Sequence, residues 1–331
     1  SDDPSTIGVS NDTLSNFFPN GNYAVKGFGW TPPSDLQDGS EIPMDVSIIG
    51  TFVPEIEQLN VYLVQGGPLS PQEIITALKQ AIADGCNVIT CSFGANTSDW
   101  VNLQDMENAL ESVAEAGITF CTASGDSGAT WVGYPGSSAH VLSCGGTFYP
   151  VGDAYDGDAW VWWNYPAGGG ANWPWLSSGG GVSAAIPVPY WQLQVAIPGF
   201  PDATGQRKYG RAYPDLAAMA QGVVLSDKGG GWSGTSACAP TIASMICRIN
   251  TELGRSVGFI NPIIYSLGAG HAAFQPVTKG NNIPSAIRTG HGKNQGYTAT
   301  DSWDPCTGWG TPDAMVLMAA IAAWYELRPV P

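Results

Sequence analysis

Residues 70–123 read SPQEIITALKQAIADGCNVITCSFGANTSDWVNLQDMENALESVAEAGITFCTA. Ser70 and Glu73 have the spacing of a capping box, with Pro71 at the first helical position. Ile74, Ile75, Leu78 and Ile82 then recur at helical spacing, and Gly85 ends the run. Val88–Phe93 is a short apolar strand. A second helix is predicted from Asn102 to Ala116, with Leu103, Met106, Leu110 and Val113 on one face and Gly117 behind it. Ile118–Ala123 is the next strand. Helix, strand, helix, strand at this spacing means βαβ units, and βαβ units build a parallel sheet. Outward from this segment, one more helix is expected between Ser236 and Gly254, and a last one from Thr311-Pro312-Asp313. Between Gly145 and Gly181 the text reads as loop, with Trp160, Trp162, Trp163, Trp173 and Trp175 among Gly, Pro and Asn. No internal repeat and no low-complexity linker interrupts the chain. The expected architecture is α/β: one domain over 1–331, a mostly parallel sheet with helices on both faces, and one long insertion.

Composition narrows the function classes. The 331 residues are 44% hydrophobic and 12% charged, which excludes a disordered chain. Twelve basic residues against 28 acidic give a net charge of −16, so neither nucleic acid nor an anionic membrane surface is an expected partner. The longest apolar run, Ala314–Tyr325, is too short to span a bilayer. The chain starts Ser-Asp-Asp-Pro, which suggests a mature, processed N-terminus. Seven cysteines (86, 91, 121, 144, 238, 247, 306) cannot all pair within one chain. They lack a C-x-x-C or Cys/His cluster, and read as small core residues rather than zinc ligands. The sequons at Asn11 and Asn96 point weakly to a secretory route.

Three segments carry candidate chemistry. Ser233-Gly-Thr-Ser236-Ala-Cys-Ala-Pro240 sits between a glycine-rich turn and a helix. There a serine Oγ meets the free N–H groups and positive dipole end that stabilise developing negative charge. A plain N-cap serine would look the same. Ser124-Gly-Asp126-Ser-Gly128 lies at the carboxyl end of a strand, where parallel sheets place ligands. A chymotrypsin-like reading of Gly-Asp-Ser-Gly fails, because no His precedes Ser127. An aspartic-protease reading fails for want of a second Asp-Ser/Thr-Gly. A strand-end turn with Asp capping amides stays open. Third, Glu41 and Asp45 are four apart before an apolar run, so a helix would stack them on one face. A buried pair would share a proton and could act as base plus orienter; an exposed pair would be only an acidic first turn. Only three histidines exist (140, 271, 291), none in a catalytic context. If Ser236 is a nucleophile, its base is expected to be a carboxylate, which suits acid pH.

On these segments together the chain resembles the sedolisin family, the serine-carboxyl peptidases, whose fold is subtilisin-like. Glu41-x-x-x-Asp45, Ser124-Gly-Asp126-Ser-Gly128 and Ser233-Gly-Thr-Ser236-x-x-x-Pro240 match. So do Ser92-Phe-Gly94, Cys144-Gly-Gly-Thr147, Ser178-Gly-Gly-Gly-Val-Ser183, Gly210-Arg-Ala-Tyr-Pro-Asp-Leu-Ala-Ala218 and Trp303-Asp-Pro-Cys-Thr-Gly-Trp-Gly310, all in family order from about residue 39 onward.

The resemblance implies Ser236 as nucleophile, Glu41 as its base and Asp45 as the group holding Glu41. Asp126, protonated, would complete an oxyanion hole with the Ser236 N–H. Ser92, Phe93 and Gly94, with Ser178, Gly179 and Gly180, would bind the substrate backbone. An inhibitory propeptide, a peptide or denatured-protein substrate, a monomer, and a secreted or acidic lysosome- or vacuole-like setting are implied too.

The serine segment and Gly210–Ala218 look closest to the tripeptidyl-peptidase branch, but endopeptidases share much of this text, and endopeptidase is the expected activity. A secreted carbohydrate-binding protein using the Trp loop, or a dead homologue, are the alternatives. Two departures stand out. Pro43, between Glu41 and Asp45, requires a helix that starts close to it. At the family's calcium site Asp304 remains, but Pro276 stands in the other carboxylate position, so the expectation is no cofactor and a lost or weak metal site.

Overall fold

The computed structural model describes residues 8–29, 31–32, 38, 41–150, 156–163, 176–196, 200–201, 207–224, 231–283 and 296–327. Six parallel strands carry the fold: β1 (Tyr23–Phe28), β2 (Leu59–Val64), β3 (Val88–Cys91), β4 (Thr119–Ala123), β5 (Leu142–Phe148) and β6 (Leu216–Met219). They form two ladders. β1 pairs with β2, and β3, β4, β5 and β6 lie side by side in that order. The register runs Val88↔Thr119, Cys121↔Leu142 and Leu216↔Cys144.

The helices are α1 (Asn11–Phe17), α2 (Glu41–Phe52), α3 (Gln72–Ala83), α4 (Leu103–Glu115), α5 (Cys238–Leu253), α6 (Asn261–Leu267) and α7 (Ala314–Leu327). They cover both faces, as expected, because successive β-residues point to opposite sides. In β4, Phe120 joins Ile75, Leu78, Met106, Leu110 and Val113 of α3 and α4. Its neighbour Cys121 faces the other way, onto Ile242 and Ile246 of α5 and Leu317 and Ile321 of α7. Each fully buried Leu, Ile or Phe contributes about 1.5–3 kcal/mol. A third cluster joins Val9, Leu14 and Phe18 to α2, β1 and β2.

The quoted segment folds as read, with small shifts at its ends. The first helix opens at Gln72, and the Ser70 hydroxyl donates to the Glu73 carboxylate at 3.0 Å instead of capping Glu73 N–H. The predicted strand Val88–Phe93 stops at Cys91, which frees Ser92–Gly94 from the ladder. The reading of 145–181 as loop is corrected at its start. Leu142–Phe148 is a strand buried throughout, and Trp160–Val161 pairs antiparallel to it. Glycines at 145 and 146 hid that strand: added Cβ atoms would meet Pro214 and Ala220 side chains at 2.7 Å. Trp162 is fully buried, and Trp160 and Trp163 pack on the core. Trp173 and Trp175 lie outside the described residues.

All seven cysteines are free thiols. Among the described residues no helix is long and apolar enough to cross a membrane.

Candidate active site

The site forms where two helix starts meet two strand ends. Ser236 is the middle residue of a 3-10 turn, Thr235–Ala237, that runs straight into α5. Gly234 precedes it at φ +145°, and a Cβ there would stand 2.9 Å from Asp126 Oδ2, so glycine lets the turn close against that carboxyl. Met44 and Ile48 of α2 pack on Ala237. That contact docks α2 beside the serine turn. Glu41 is the first residue of α2, so Pro43 falls in its first turn, where no amide donor is needed.

Glu41 and Asp45 share one face of α2, as their spacing requires. The Ser236 hydroxyl lies against the Glu41 carboxyl, while Glu41 Oε1 is buried without a hydrogen-bond partner. Burial raises the Glu41 pKa, and the nearby Asp126 charge adds to the rise; Ser236 opposes it. Asp45 is held well above the usual carboxylate range by burial first and by Glu41 second, against the Ser92 hydroxyl. One residue past β3, Ser92 Oγ stands 2.9 Å from Asp45 Oδ1 and 3.0 Å from the Ser236 carbonyl. Ser236 Oγ in turn lies 3.5 Å from the Ser92 carbonyl.

Asp126 follows β4 and faces the serine turn. Its Oδ1 accepts from Thr235 N–H at 2.8 Å and from Thr235 Oγ1 at 2.7 Å. Burial raises its pKa against those two donors. Oδ2, on the Gly234 side, is left toward the cleft. A protonated carboxyl held this way can donate a hydrogen bond beside the Ser236 N–H.

A cleft of 220 Å³ opens in front of these groups, lined by Ser92, Gly94, Gly125, Asp126, Gly179 and Ser236 among others. Gly179 is pressed on the end of β4: a Cβ there would lie 2.4 Å from the Ser124 carbonyl. Of the residues expected at the substrate, the cleft wall takes Ser92, Gly94 and Gly179. Phe93 is 43% exposed and stacks edge-on with Trp100. Ser178 is fully buried, accepting from Gly146 N–H and donating to the Cys306 carbonyl at 2.7 Å. Gly180 lies against the Pro305 carbonyl. Ser178 and Gly180 therefore hold the cleft wall from behind and do not line it.

Two roles escaped the sequence reading. Thr235, read only as part of a motif, is the residue that grips Asp126. Arg211 and Asp215 form a fully buried ion pair at 2.7 Å. Asp215 also takes Ser143 N–H at 2.8 Å, Tyr265 OH at 2.7 Å and Asn261 Nδ2 at 3.2 Å, and Arg211 stacks on Trp191. The Arg/Asp spacing of four was visible in the sequence, but nothing local marks it as buried.

The resemblance implies a calcium position at Asp304 and Pro276. Asp304 Oδ1 accepts from Cys306 N–H, Thr307 N–H and Thr307 Oγ1 at 2.9, 3.0 and 3.3 Å, and Oδ2 from Thr300 N–H at 2.8 Å. Burial lifts this carboxyl to about 6. Pro276 has no side-chain oxygen, and no group of three metal-ligating carboxylates, histidines or cysteines exists among the described residues. Calcium wants six to eight oxygens with carboxylates supplying charge.

Comparisons with known proteins place the chain in a family. The family model described as "Subtilase family" matches residues 45–255. Kumamolisin of Bacillus sp. (strain MN-32) is 32% identical over 300 residues, 85% of this chain and 50% of the relative. Tripeptidyl-peptidase sed1 of Aspergillus fumigatus is 34% identical over 201 residues, 56% of this chain and 30% of the relative. The chain thus spans half or less of these relatives. A solved structure described as Pseudomonas sedolisin (serine-carboxyl proteinase), complexed with two molecules of pseudo-iodotyrostatin, superposes with a TM-score of 0.71 at 25% identity, covering 96% of this chain and 91% of that one. With a serine-led helix start facing carboxyl groups at the ends of a parallel sheet, and with these relatives, the chain belongs to the subtilase family and, within it, to the sedolisins.

Proposed function

We propose that this protein is an acid-acting serine-carboxyl peptidase. The observation that carries the reading is the meeting of Ser236 with Glu41 on one side and Asp126 on the other. Ser236 Oγ attacks the scissile carbonyl and passes its proton to Glu41. Asp45, held by Ser92, orients Glu41. Negative charge on the carbonyl oxygen is met by Ser236 N–H and by protonated Asp126. Glu41 returns the proton to the leaving amine, and water then releases the acyl group by the same steps in reverse roles. Asp126 must carry a proton, and the Glu41–Asp45 pair must hold one on the Asp45 side so that Glu41 can accept from Ser236; raised pKa values at all three carboxyls favour that state in acid and support an acid optimum. No described histidine lines the cleft, so a carboxyl is the available base.

Endopeptidase is the favoured activity. A tripeptidyl peptidase must recognise a free ammonium, which calls for an anion on the cleft wall. Among the described lining residues the only carboxyl is Asp126, already committed to Thr235. We infer further that catalysis and stability need no calcium, since the Asp304 oxygens are occupied by backbone donors. The greater length of the relatives supports an inhibitory segment made with the catalytic part, and a secreted or acidic-compartment protein is the setting that suits the chemistry.

The deciding experiment is Ser236→Ala on a denatured-protein substrate at acid pH. Loss of a covalent nucleophile lowers kcat by roughly 10⁴–10⁶ and leaves substrate affinity nearly unchanged. A variant keeping a tenth of the activity overturns the serine mechanism. Mass spectrometry of the products separates internal cleavage from serial release of tripeptides.

A further inference from the structure

Ser92 Oγ stands among three oxygen atoms: Asp45 Oδ1 at 2.9 Å, Asp45 Oδ2 at 3.1 Å and the Ser236 carbonyl at 3.0 Å. A serine hydroxyl carries one proton, so it can donate to one of these groups at a time. A carbonyl can only accept, so that contact is a hydrogen bond only if Ser92 donates to it. A carboxyl accepts when ionised and can donate when protonated. Two arrangements follow. In the first, Ser92 donates to an ionised Asp45 and turns lone pairs toward the Ser236 carbonyl. In the second, Ser92 donates to the carbonyl and accepts from a protonated Asp45. Only the second makes both contacts hydrogen bonds.

The sequence after the nucleophile favours the second arrangement. In a continuing helix the Ser236 carbonyl would accept the N–H of residue 240. That residue is Pro240, which has none. Ser92 Oγ reaches the carbonyl in place of the missing amide. The contact between the two serines is reciprocal, with Ser236 Oγ 3.5 Å from the Ser92 carbonyl. Glu41 Oε1, one turn away on the same helix face, is buried without a partner and takes no hydrogen bond from Asp45. The groups around Asp45 pull the same way. Glu41 on its own helix is an acid, and Asp126 beyond Ser236 adds another. Cys91, at the end of β3, has its thiol pushed up to about 12, chiefly by burial, and stays neutral. α1 meets α2 through Leu14 and Phe18, and Arg248 of α5 bonds the Phe52 carbonyl at the far end of α2. Among the described residues no cation acts on Asp45.

We propose that Ser92 and Pro240 together decide which of the two carboxyls beside Ser236 keeps its proton. Pro240 withholds the helical donor from the Ser236 carbonyl, Ser92 supplies its own, and Ser92 must then accept from Asp45. Asp45 is thereby the protonated member of the pair. With Asp45 neutral, Glu41 is the carboxyl that can ionise and take the Ser236 proton. Ser92 is a positioning residue, since it acts on the base through Asp45. Taken alone, Ser92 as a donor opposes the rise at Asp45; with its proton claimed by the Ser236 carbonyl, the same contact supports the rise. If Asp45 loses its proton, the hydroxyl turns to the carboxylate, where the hydrogen bond is charge-assisted. The Ser236 carbonyl then faces lone pairs at 3.0 Å. The proton on Asp45 is in this way linked to the seating of the Ser236 turn. The assignment rests on the reading of Glu41 as the base, but its test reads no peptide hydrolysis.

The test is a carbon-13 NMR titration of the Asp45 carboxyl in aspartate-labelled protein. It is run on the Ser236→Ala background, which prevents self-digestion and keeps the carbonyl at position 236. Asp45→Asn assigns the signal. Ser92→Ala should lower the Asp45 pKa by about one unit or more. Pro240→Ala, which returns an N–H to the carbonyl and frees the Ser92 proton for Asp45, should lower it too. Adding Ser92→Ala to Pro240→Ala should then raise it, because Ser92 has become a donor to Asp45. A rise in Ser92→Ala overturns the proposal, since a hydroxyl that donated to Asp45 all along gives that sign. An unchanged value there overturns it as well. An unchanged value in folded Pro240→Ala removes the proline from the device and overturns the joint assignment. If Pro240→Ala does not fold, the sign in Ser92→Ala decides alone. Peptidase activity surviving in Ser236→Ala would sink the serine mechanism and leave this titration as it is, so the two failures are distinct.

Discussion

At Asp126 a single proton decides the chemistry. Its Oδ1 is fixed by two donors from Thr235, so only Oδ2 is free to carry a proton toward the cleft. Asparagine reproduces that arrangement, accepting at Oδ1 and donating from Nδ2 at any pH. Asp126→Asn should therefore keep much of the acid activity and extend the alkaline limb of the pH–rate profile. Asp126→Ala, which removes the donor, should lower kcat by roughly 10²–10³. An unchanged alkaline limb in Asp126→Asn would place the controlling ionisation elsewhere. Arg211 acts on stability rather than on the chemistry. Its charge is fully buried and satisfied by Asp215, so Arg211→Met strands an uncompensated carboxylate and should destabilise by about 3–5 kcal/mol. Chemical denaturation measures that loss directly, and a change below about 1 kcal/mol would deny the pair its structural role.

Two elements hold the base and the Asp304 loop in place. The first is the α2 start. Met44 and Ile48 seat the helix on Ala237, so the distance from Glu41 to Ser236 depends on that packing. Ile48→Ala should cost about 2–5 kcal/mol in stability as a cavity mutation. It should also reduce kcat more than KM, since the base is displaced while the cleft is not; kinetics at the acid optimum give both numbers. The second is the turn at Asp304. Its carboxyl is spent on Thr300, Cys306 and Thr307, and Phe274–Gln275 is pinned to Thr311–Pro312 by strand pairing. A ligand stabilises only as far as it binds the native state. The melting temperature in EDTA should therefore match that in millimolar calcium within a degree or two. A shift of many degrees would show a metal bound there.

For the whole molecule, the raised carboxyls set the direction of the pH dependence. Glu41, Asp45 and Asp126 bind protons more tightly folded than unfolded. The stability they contribute is thus complete below the unfolded carboxyl range of about 4 and is lost as pH rises through their folded values. A net charge of −16 at pH 7 adds self-repulsion on the same side. The opposing case is Asp84, lowered to about 2 chiefly by Lys26, and its contribution disappears only near that pH. The melting temperature should be several degrees higher at pH 4 than at pH 7. A higher value at pH 7 would mean that these carboxyls are ionised in the native protein.

Features under short-range control were legible in the sequence. Apolar residues at a period of 3.6 marked α3 and α4, and short apolar runs marked β3 and β4. A spacing of four put Glu41 and Asp45 on one helix face, and a glycine-led turn before an amphipathic run put Ser236 at a helix start. Hydrogen bonds within a turn or helix span a few residues, so their pattern is written locally. The buried strand β5 was missed because its glycines make room for neighbours that lie far away in the chain. Which side chains meet across long separations is not written locally. The reach of Ser92 to Asp45, the grip of Thr235 on Asp126 and the Arg211–Asp215 hub all depend on how elements dock. Docking is fixed by the summed burial of whole faces, and no single segment of sequence carries that sum.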